Sequence, residues 1–257
     1  MMSGRGRLPG VHPGGGVFVP LDRGGRAIIR YVESLLVVAY GVLYDWIFRR
    51  FRPYRALLQE ILEYAGRSLE GTRGPAPLRV LELGCGTGNF SAALAGRGYE
   101  VVGEDPYLAL VERARRKEAR GHRVSFRVGA GADGGYDLAV SVHALYAQPD
   151  PARELERAFG RLRPGGHAIV VNFARRAPVV ATARAVWARE GMGAALHALW
   201  WLVPNAVFDM MRGRRESHYW TETELRTCLE GVGFEVLELR PTFLNGISLL
   251  AWCRKGP

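Results

Sequence analysis

A glycine-rich run is the part of the chain best suited to holding a small ligand. It reads ELGCGTGN from Glu82 to Asn89, between a short apolar stretch typical of a β-strand and a stretch typical of a helix. Glycines permit a tight turn and let a ligand approach the backbone closely at the carboxyl end of a strand. The loop alone leaves two alternatives open: a nucleotide-binding site, or a structural turn between strand and helix.

Acidic residues on either side of the loop indicate which kinds of ligand it is suited to bind. Glu82 stands just before the glycines, where a carboxylate is able to face a cationic ligand. Asp105 ends the run VVGED about 20 residues after the loop, the position from which a carboxylate accepts hydrogen bonds from ribose hydroxyls. We choose Asp105 over Glu104 because strand alternation puts it at the tip. The G-x-G-x-G spacing, with Asn89 where dinucleotide-binding loops continue toward a last glycine, argues against a dinucleotide.

These segments together resemble the class I S-adenosylmethionine-dependent methyltransferases. Residues 80–90 resemble motif I of that family, residues 103–105 resemble motif II, and residues 162–167 resemble the turn before its fifth strand. The resemblance covers about 78–173 and 220–255. It implies an α/β, Rossmann-like fold with a seven-stranded, mostly parallel sheet, helices on both faces and a reversed final hairpin.

The resemblance also implies which residues hold S-adenosylmethionine, whose product would be S-adenosylhomocysteine. The implied cofactor contacts are Glu82, Gly84, Cys85, Gly86, Gly88, Asp105, Pro106, Ala130 and Ser141. Glu82 and the glycines would line the amino-acid and ribose end, and Pro106 or Tyr107 would flank the adenine. Where the family often has an acid for the adenine amino group, this chain has Ala130. Either Asp133 or backbone groups would then take over that contact.

The segment after the predicted fourth strand enters the cleft in this family, so it is where a catalytic base is expected. It reads SVHALY from Ser141 to Tyr146. His143 is the main candidate, because an unperturbed imidazole titrates near neutral pH; Tyr146 is a second. The alternative is that His143 only packs beside the cofactor or bonds the backbone. Methyl transfer from a sulfonium is an in-line displacement without a metal requirement, so we expect no metal site.

Residues 174–219 lack strand signals and are predicted to form a helical lid over the acceptor. Its candidate substrate contacts are Trp200, Trp201, Phe208, His218 and Tyr219. One interpretation is a pocket for an apolar acceptor such as a quinone, lipid or polyketide. A second is peripheral contact of residues 27–51 and 194–212 with a membrane, aromatic side down and arginines toward anionic headgroups. A third is a helical subdomain that buries its own aromatics.

The predicted organisation is one α/β domain with extensions. A flexible tail spans residues 1–26, a helical cap and linker 27–77, the cofactor-binding core 78–173, the lid 174–219, and a helix with a strand hairpin 220–257. Strands are predicted at 79–83, 100–104, 124–128, 136–142, 167–173, 234–239 and 247–253, with helices at 27–51, 54–69, 89–96, 109–120, 151–162 and 221–230. Pro204 is expected to break the apolar centre of the lid.

The charge and the cysteine content limit which partners and which cellular compartment are expected. The formal net charge is +10, which suits an anionic partner, either nucleic acid or a membrane surface, or else charges solvated on helix faces. There is no Asn/Asp-Pro-Pro-aromatic run, the signature of enzymes that methylate exocyclic base amines, which disfavours nucleic acid. The 3 cysteines show neither a disulfide framework nor metal-ligand spacing. We expect a cytoplasmic protein, with attachment to the inner face of the membrane as the alternative.

Three functions remain open from the sequence. The first is a methyltransferase acting on a small apolar acceptor. The second is a non-catalytic protein that binds S-adenosylmethionine or associates with a membrane. The third is an RNA methyltransferase, which predicts salt-sensitive binding to RNA.

Overall fold

A central sheet of seven strands organises the molecule. The computed structural model describes residues 41, 43–70, 77–117, 123–174, 179–211, 218–244 and 246–257, and only the backbone at 204, 205 and 207–211. The predicted tail and most of the first predicted helix therefore lie outside the described residues. The strands are β1 (Arg79–Leu83), β2 (Glu100–Asp105), β3 (Val124–Val128), β4 (Tyr136–Val142), β5 (Leu162–Phe173), β6 (Phe234–Thr242) and β7 (Ser248–Lys255).

The strand order is β3-β2-β1-β4-β5-β7-β6. The first five strands pair in parallel, and β7 runs antiparallel to both β5 and β6. The predicted mostly parallel sheet with a reversed final hairpin is confirmed. Every residue of β4 is buried, as expected for a central strand covered on both faces.

Helices cover both faces of the sheet. They are α1 (43–50), α2 (Arg52–Ser68), α3 (Asn89–Ala95), α4 (Leu108–Arg115), α5 (Pro151–Arg161), α6 (Val179–Glu190), α7 (Met192–Met211) and α8 (Glu222–Val232). One face packs against α2, α3 and α7, through residues such as Ile61, Leu94 and Trp201. The other packs against α5 and α8, through Leu155 and Leu225. The carboxyl ends of β1 to β5 thus share one edge, where parallel α/β proteins bind ligands.

Two local features differ from the sequence prediction, and one agrees. Helix α7 continues through Pro204 rather than breaking there, although an interior proline removes one backbone hydrogen bond. The predicted turn before β5 lies within an irregular stretch of that strand, since Tyr136 pairs with Leu162 and Leu138 with His167. The capping box of α8 is confirmed, with reciprocal hydrogen bonds between Thr221 and Glu224.

Candidate active site

The glycine loop leaves β1 in a backbone conformation that favours glycine. Gly84, Gly86 and Gly88 have φ of +68°, +53° and +75°. A Cβ on Gly84 would lie 2.3 Å from the Cβ of Ala144, whereas a Cβ on Gly86 would meet nothing within 4 Å. Gly84 therefore allows the chain after β4 to pack directly on the loop, and Gly86 leaves open space beside the backbone.

Asp105 closes the loop from the tip of β2. Its Oδ2 accepts a hydrogen bond from the Gly86 amide at 2.9 Å, and its Oδ1 accepts one from the Tyr107 amide at 2.9 Å. Burial raises the pKa of Asp105, although the two backbone hydrogen bonds act in the opposite direction. Each carboxylate oxygen still has acceptor capacity for a ribose hydroxyl. The carboxylate is therefore held at the tip of β2 with acceptor capacity left for the hydroxyl groups of a ligand.

A cleft opens at the carboxyl ends of β1, β2, β3 and β4. It is lined by Leu83, Gly84, Glu104, Asp105, Pro106, Gly129, Ala130, Ala144, Leu145, Gln148, Glu154 and Arg157. Four of the predicted cofactor residues, Gly84, Asp105, Pro106 and Ala130, line this cleft. Gln148, Glu154 and Arg157 were not predicted, because α5 and the segment before it approach the cleft only through the packing of the fold. The open glycine loop and the buried carboxylate of Asp105 fit S-adenosylmethionine.

The remaining predicted cofactor residues lie beside the cleft rather than in its lining. Glu82 is 2% exposed and accepts a hydrogen bond from Ser91 Oγ. Burial raises the pKa of Glu82 to about 8. Cys85 packs against Val111 of α4, and Ser141 is buried in β4. Glu82 thus keeps its proton more readily than an exposed glutamate, and a cation bound nearby would favour its ionised form.

Asp133, the residue considered for the adenine amino group, is held by other partners. Its carboxylate accepts hydrogen bonds from Arg127, Arg161 and Tyr136. Burial alone would raise the pKa of Asp133, but the hydrogen bonds from Arg127 and Tyr136 outweigh it and lower that pKa strongly. Arg161 also binds Glu104 through two bonds of 2.7 and 2.8 Å. This ion-pair network, in which the Arg161–Glu104 pair is buried, supports the loop that presents Ala130 to the cleft.

His143 lies where the cleft meets a cluster of aromatic rings. It has a φ of +50°, and its neighbour Ala144 lines the cleft. Nε2 is 2.8 Å from Ser248 Oγ, while Nδ1 is buried without a hydrogen-bond partner among the described residues. The ring stacks on Phe173 at 4.0 Å between centroids. Burial lowers the pKa of His143 to about 3, so the imidazole is neutral at physiological pH.

The aromatic cluster around His143 is assembled from distant parts of the chain. Its rings belong to Phe51, Tyr54, Tyr146, Phe173, Trp201, Tyr219 and Phe243. Trp201 is 1% exposed and donates a hydrogen bond from Nε1 to Tyr54 Oη at 3.2 Å. Tyr146, Trp201 and Tyr219 were predicted from the sequence. Phe51, Tyr54 and Phe243 were not, since their spacing gives no sign that they meet.

The other predicted lid residues do not belong to this aromatic cluster. Trp200 is 56% exposed and lies 5.0 Å from Trp46, on the outer side of α7. We do not retain it as an acceptor contact, because neighbouring residues on a helix point about 100° apart. His218 bridges the strand ends through its backbone, which donates to the Tyr146 carbonyl and accepts from Asn172. The side chain of Phe208 lies outside the described part of the structure.

The described residues form neither a metal-binding cluster nor a membrane-spanning helix. No group of three or more His, Cys, Asp or Glu side chains in the described ranges is arranged to hold a metal ion. Within the same ranges, the helices are too short or too polar to cross a bilayer.

Comparison with known proteins identifies the family. A family model described as a methyltransferase domain matches residues 48–239. A ubiquinone biosynthesis O-methyltransferase from Xanthomonas axonopodis pv. citri is 34% identical over 123 residues, which cover 45% of this chain and 49% of that protein. The enzyme of the same name from Azorhizobium caulinodans is 30% identical over 196 residues, 72% of this chain and 68% of that protein. The chain thus spans about half the length of the first relative and about two thirds of the second.

A solved structure supports the fold independently. Magnesium protoporphyrin IX methyltransferase from Synechocystis, with S-adenosylhomocysteine bound, superposes with a TM-score of 0.60 over 88% of this chain and 100% of that one. At 16% identity this likeness concerns the fold alone. With the family match, the strand order and the loop geometry, it leads to one conclusion: the chain belongs to the class I S-adenosylmethionine-dependent methyltransferases.

Proposed function

We propose that this enzyme methylates an oxygen atom of a small, apolar acceptor, of the kind formed by a quinol with a hydrocarbon tail. The observation that carries the proposal is the aromatic cluster around His143, which begins one residue from the cofactor cleft. Relatives that are named as O-methyltransferases of ubiquinone biosynthesis support the same class of acceptor.

The composition of the cluster favours an apolar body in the acceptor. The rings of Tyr54, Phe173, Trp201 and Phe243 enclose the imidazole, and the Tyr54 hydroxyl is already engaged by Trp201. A polar acceptor would lose hydrogen bonds to water here without replacing them. An apolar acceptor instead gains about 0.8 kcal/mol for each buried methylene group.

His143 is suited to remove the proton from an acceptor hydroxyl. If Nε2–H donates to Ser248 Oγ, the lone pair of Nδ1 is free to accept that proton. Burial lowers the imidazole pKa, so His143 is unprotonated when the acceptor arrives, although the same burial makes it a weaker base. When bound, S-adenosylmethionine supplies the electrophilic methyl group that the oxygen attacks. Tyr146, beside Phe173, helps to enclose the acceptor.

A pair of acceptors and a pair of histidine variants test this proposal. We expect a catechol carrying a long hydrocarbon tail to be methylated with kcat/KM at least about a hundredfold above that of catechol itself, because the tail is buried. His143→Gln is expected to lower kcat by about 10² to 10⁴, the usual contribution of a general base. S-adenosylhomocysteine affinity, measured by calorimetry, should change little in this variant.

His167→Gln is the matched control, because His167 stacks on Trp252 at the opposite end of β5. It should retain wild-type kcat. Equal kcat/KM for the two catechols would contradict an apolar acceptor. An unchanged kcat in His143→Gln would remove His143 as the base.

We further propose that the enzyme meets its acceptor at an anionic membrane surface, as a peripheral protein of the cytoplasmic face. Helix α7 exposes a stripe of large apolar side chains, Met192, Leu196, Trp200 and Val203. Their spacing of four and three residues puts them on one helix face. Trp187 of α6 is also more than half exposed. Contiguous exposed apolar side chains of this size mark interaction surfaces.

The charges beside this stripe favour anionic lipid as its partner. Arg49 and Arg50 of α1 are exposed, and Arg50 lies 5.1 Å over the ring of Trp46, which itself contacts Trp200. Arginines that flank exposed tryptophans can bind headgroups while the rings enter the interface. Trp201 takes no part in this surface, because it faces the core.

Vesicle sedimentation tests this surface. We expect wild-type protein to co-sediment with vesicles containing phosphatidylglycerol, and the Leu196→Ser, Trp200→Ser double variant to lose most of that binding. Leu237→Ser is the matched control, since Leu237 is an exposed leucine on strand β6. Binding of the double variant equal to that of wild type would show that α7 does not contact lipid.

A further inference from the structure

Asp45 joins helix α1 to the cofactor loop. It is 5% exposed, and its carboxylate accepts hydrogen bonds from four side chains. The donors are Thr87 Oγ1 at 2.5 Å, Arg113 Nε at 2.6 Å, Lys117 Nζ at 2.5 Å and Asn89 Nδ2 at 3.0 Å. Thr87 and Asn89 belong to the glycine loop and to the start of α3, while Arg113 and Lys117 lie on and just after α4.

Helix α1 also contacts the loop and the lid through apolar groups. Phe48 packs edge-on against Phe90 of α3, with ring centroids 5.0 Å apart. A Cβ on Gly41 would lie 3.2 Å from Thr87 Cγ2. On the other side, Trp46 contacts Trp200 of α7. The helix therefore lies between the loop that binds the cofactor and the lid.

The backbone of the glycine loop explains why the hydrogen bond between Asp45 and Thr87 is important for the order of the loop. Thr87 lies between two glycines with positive φ, which lose more conformational entropy on ordering than other residues. A buried hydrogen bond to Thr87 limits the conformations of both neighbours. Burial by itself raises the pKa of Asp45, but hydrogen bonds from Lys117, Thr87 and Arg113 outweigh it and lower the pKa overall. The carboxylate thus stays ionised and able to hold all four donors at neutral pH.

We propose that Asp45 is a positioning residue for the cofactor, which clamps the glycine loop to α1 so that cofactor binding and the docking of α1 stabilise each other. The reciprocity is required by thermodynamic linkage: if docked α1 strengthens cofactor binding, bound cofactor strengthens the docking of α1 by the same factor. The inference rests on cofactor binding alone and is independent of the acceptor and of the membrane.

Hydrogen exchange of the wild-type protein tests the coupling without any variant. S-adenosylhomocysteine is expected to slow amide exchange in residues 43–50 as well as in the glycine loop. In Asp45→Asn, the loop should still be protected at saturating ligand, whereas the protection of residues 43–50 should be lost. The dissociation constant should rise about tenfold or more, because a charge-assisted hydrogen bond to the loop is removed.

Two further variants separate positioning from general stability. Glu235→Gln removes an exposed pair with Arg254 and should leave both readouts unchanged. Thr87→Val should weaken binding in the wild-type background but add little once Asp45→Asn is present, because both act through one hydrogen bond. The proposal is overturned if ligand leaves exchange in residues 43–50 of the wild-type protein unchanged, or if Asp45→Asn folds and binds S-adenosylhomocysteine with wild-type affinity.

Discussion

Gly84→Ala is expected to destabilise the protein by about 2–5 kcal/mol and to remove measurable cofactor binding. The left-handed backbone at φ +68° costs an alanine about 1–2 kcal/mol. The new Cβ would also lie 2.3 Å from that of Ala144, and an overlap of this kind typically costs a further 1–3 kcal/mol, roughly. Relief of the overlap moves either the loop or the segment that carries His143. Chemical denaturation and calorimetry with S-adenosylhomocysteine measure the two effects.

A compensating variant makes this prediction specific. Ala144→Gly removes the Cβ that the new alanine would overlap. The Gly84→Ala, Ala144→Gly double variant should therefore recover the part of the lost stability that is due to overlap. Gly98→Ala is the control for strain alone, because Gly98 has φ +90° with nothing within 4 Å of a Cβ. Gly98→Ala and Gly84→Ala must lower the free energy of unfolding by different amounts, and Ala144→Gly must restore part of it. Either opposite result would show that close packing between the glycine loop and the segment after β4 is not the reason for a glycine at position 84.

Asp105→Ala is expected to weaken binding of S-adenosylhomocysteine by about 10² to 10³. The substitution removes the acceptor for the ribose hydroxyls, and charge-assisted hydrogen bonds contribute about 1.5–3 kcal/mol each. It also releases the Gly86 amide, which donates to Asp105 at 2.9 Å. Isothermal calorimetry gives the dissociation constant, and thermal unfolding without ligand shows separately whether the fold survives.

Asp105→Asn is the companion variant, since the amide keeps one acceptor oxygen and loses the charge. It should bind with intermediate affinity. If the folded alanine variant binds within about threefold of wild type, a difference smaller than one typical net hydrogen bond, Asp105 does not hold the ribose.

The parts of the fold that the sequence predicted are those encoded by local signals. Strands β1, β3 and β4 begin and end where predicted, because buried parallel strands are continuous apolar runs bounded by turns. The Thr221–Glu224 capping box was read correctly for the same reason, since both partners lie within one helical turn. The cofactor loop and Asp105 belong to this group: glycine spacing and strand alternation are visible without knowledge of packing.

The acceptor side could not be predicted in the same way, because its residues meet only in the folded chain. Tyr54 and Phe243 both pack against His143, yet they come from α2 and from the connection between β6 and β7. Trp200 and Trp201 are adjacent in sequence, but Trp200 is exposed and Trp201 is buried. A pattern of aromatic residues predicts an apolar lid, but it does not distinguish the ring that enters the core from the ring that enters solvent.

The long-range ion pairs could not be predicted from the sequence for the same reason. Asp45 lies 42 residues before Thr87 and 72 before Lys117, so the sequence gives no sign that their side chains meet. Arg161 and Glu104 are separated by 57 residues and form a buried bidentate pair. Both arrangements depend on how helices pack on the sheet, whereas the glycine loop that Asp45 contacts is encoded locally.

Transfer of a labelled methyl group tests the central claim most directly. Purified protein is incubated with S-adenosylmethionine labelled in the methyl group and with a quinol that carries a hydrocarbon tail, and the products are partitioned into organic solvent. Our account predicts labelled product in the organic phase, formed in equal amount to S-adenosylhomocysteine and lost in His143→Gln. Binding of S-adenosylhomocysteine without transfer of label to any apolar hydroxyl acceptor would contradict it.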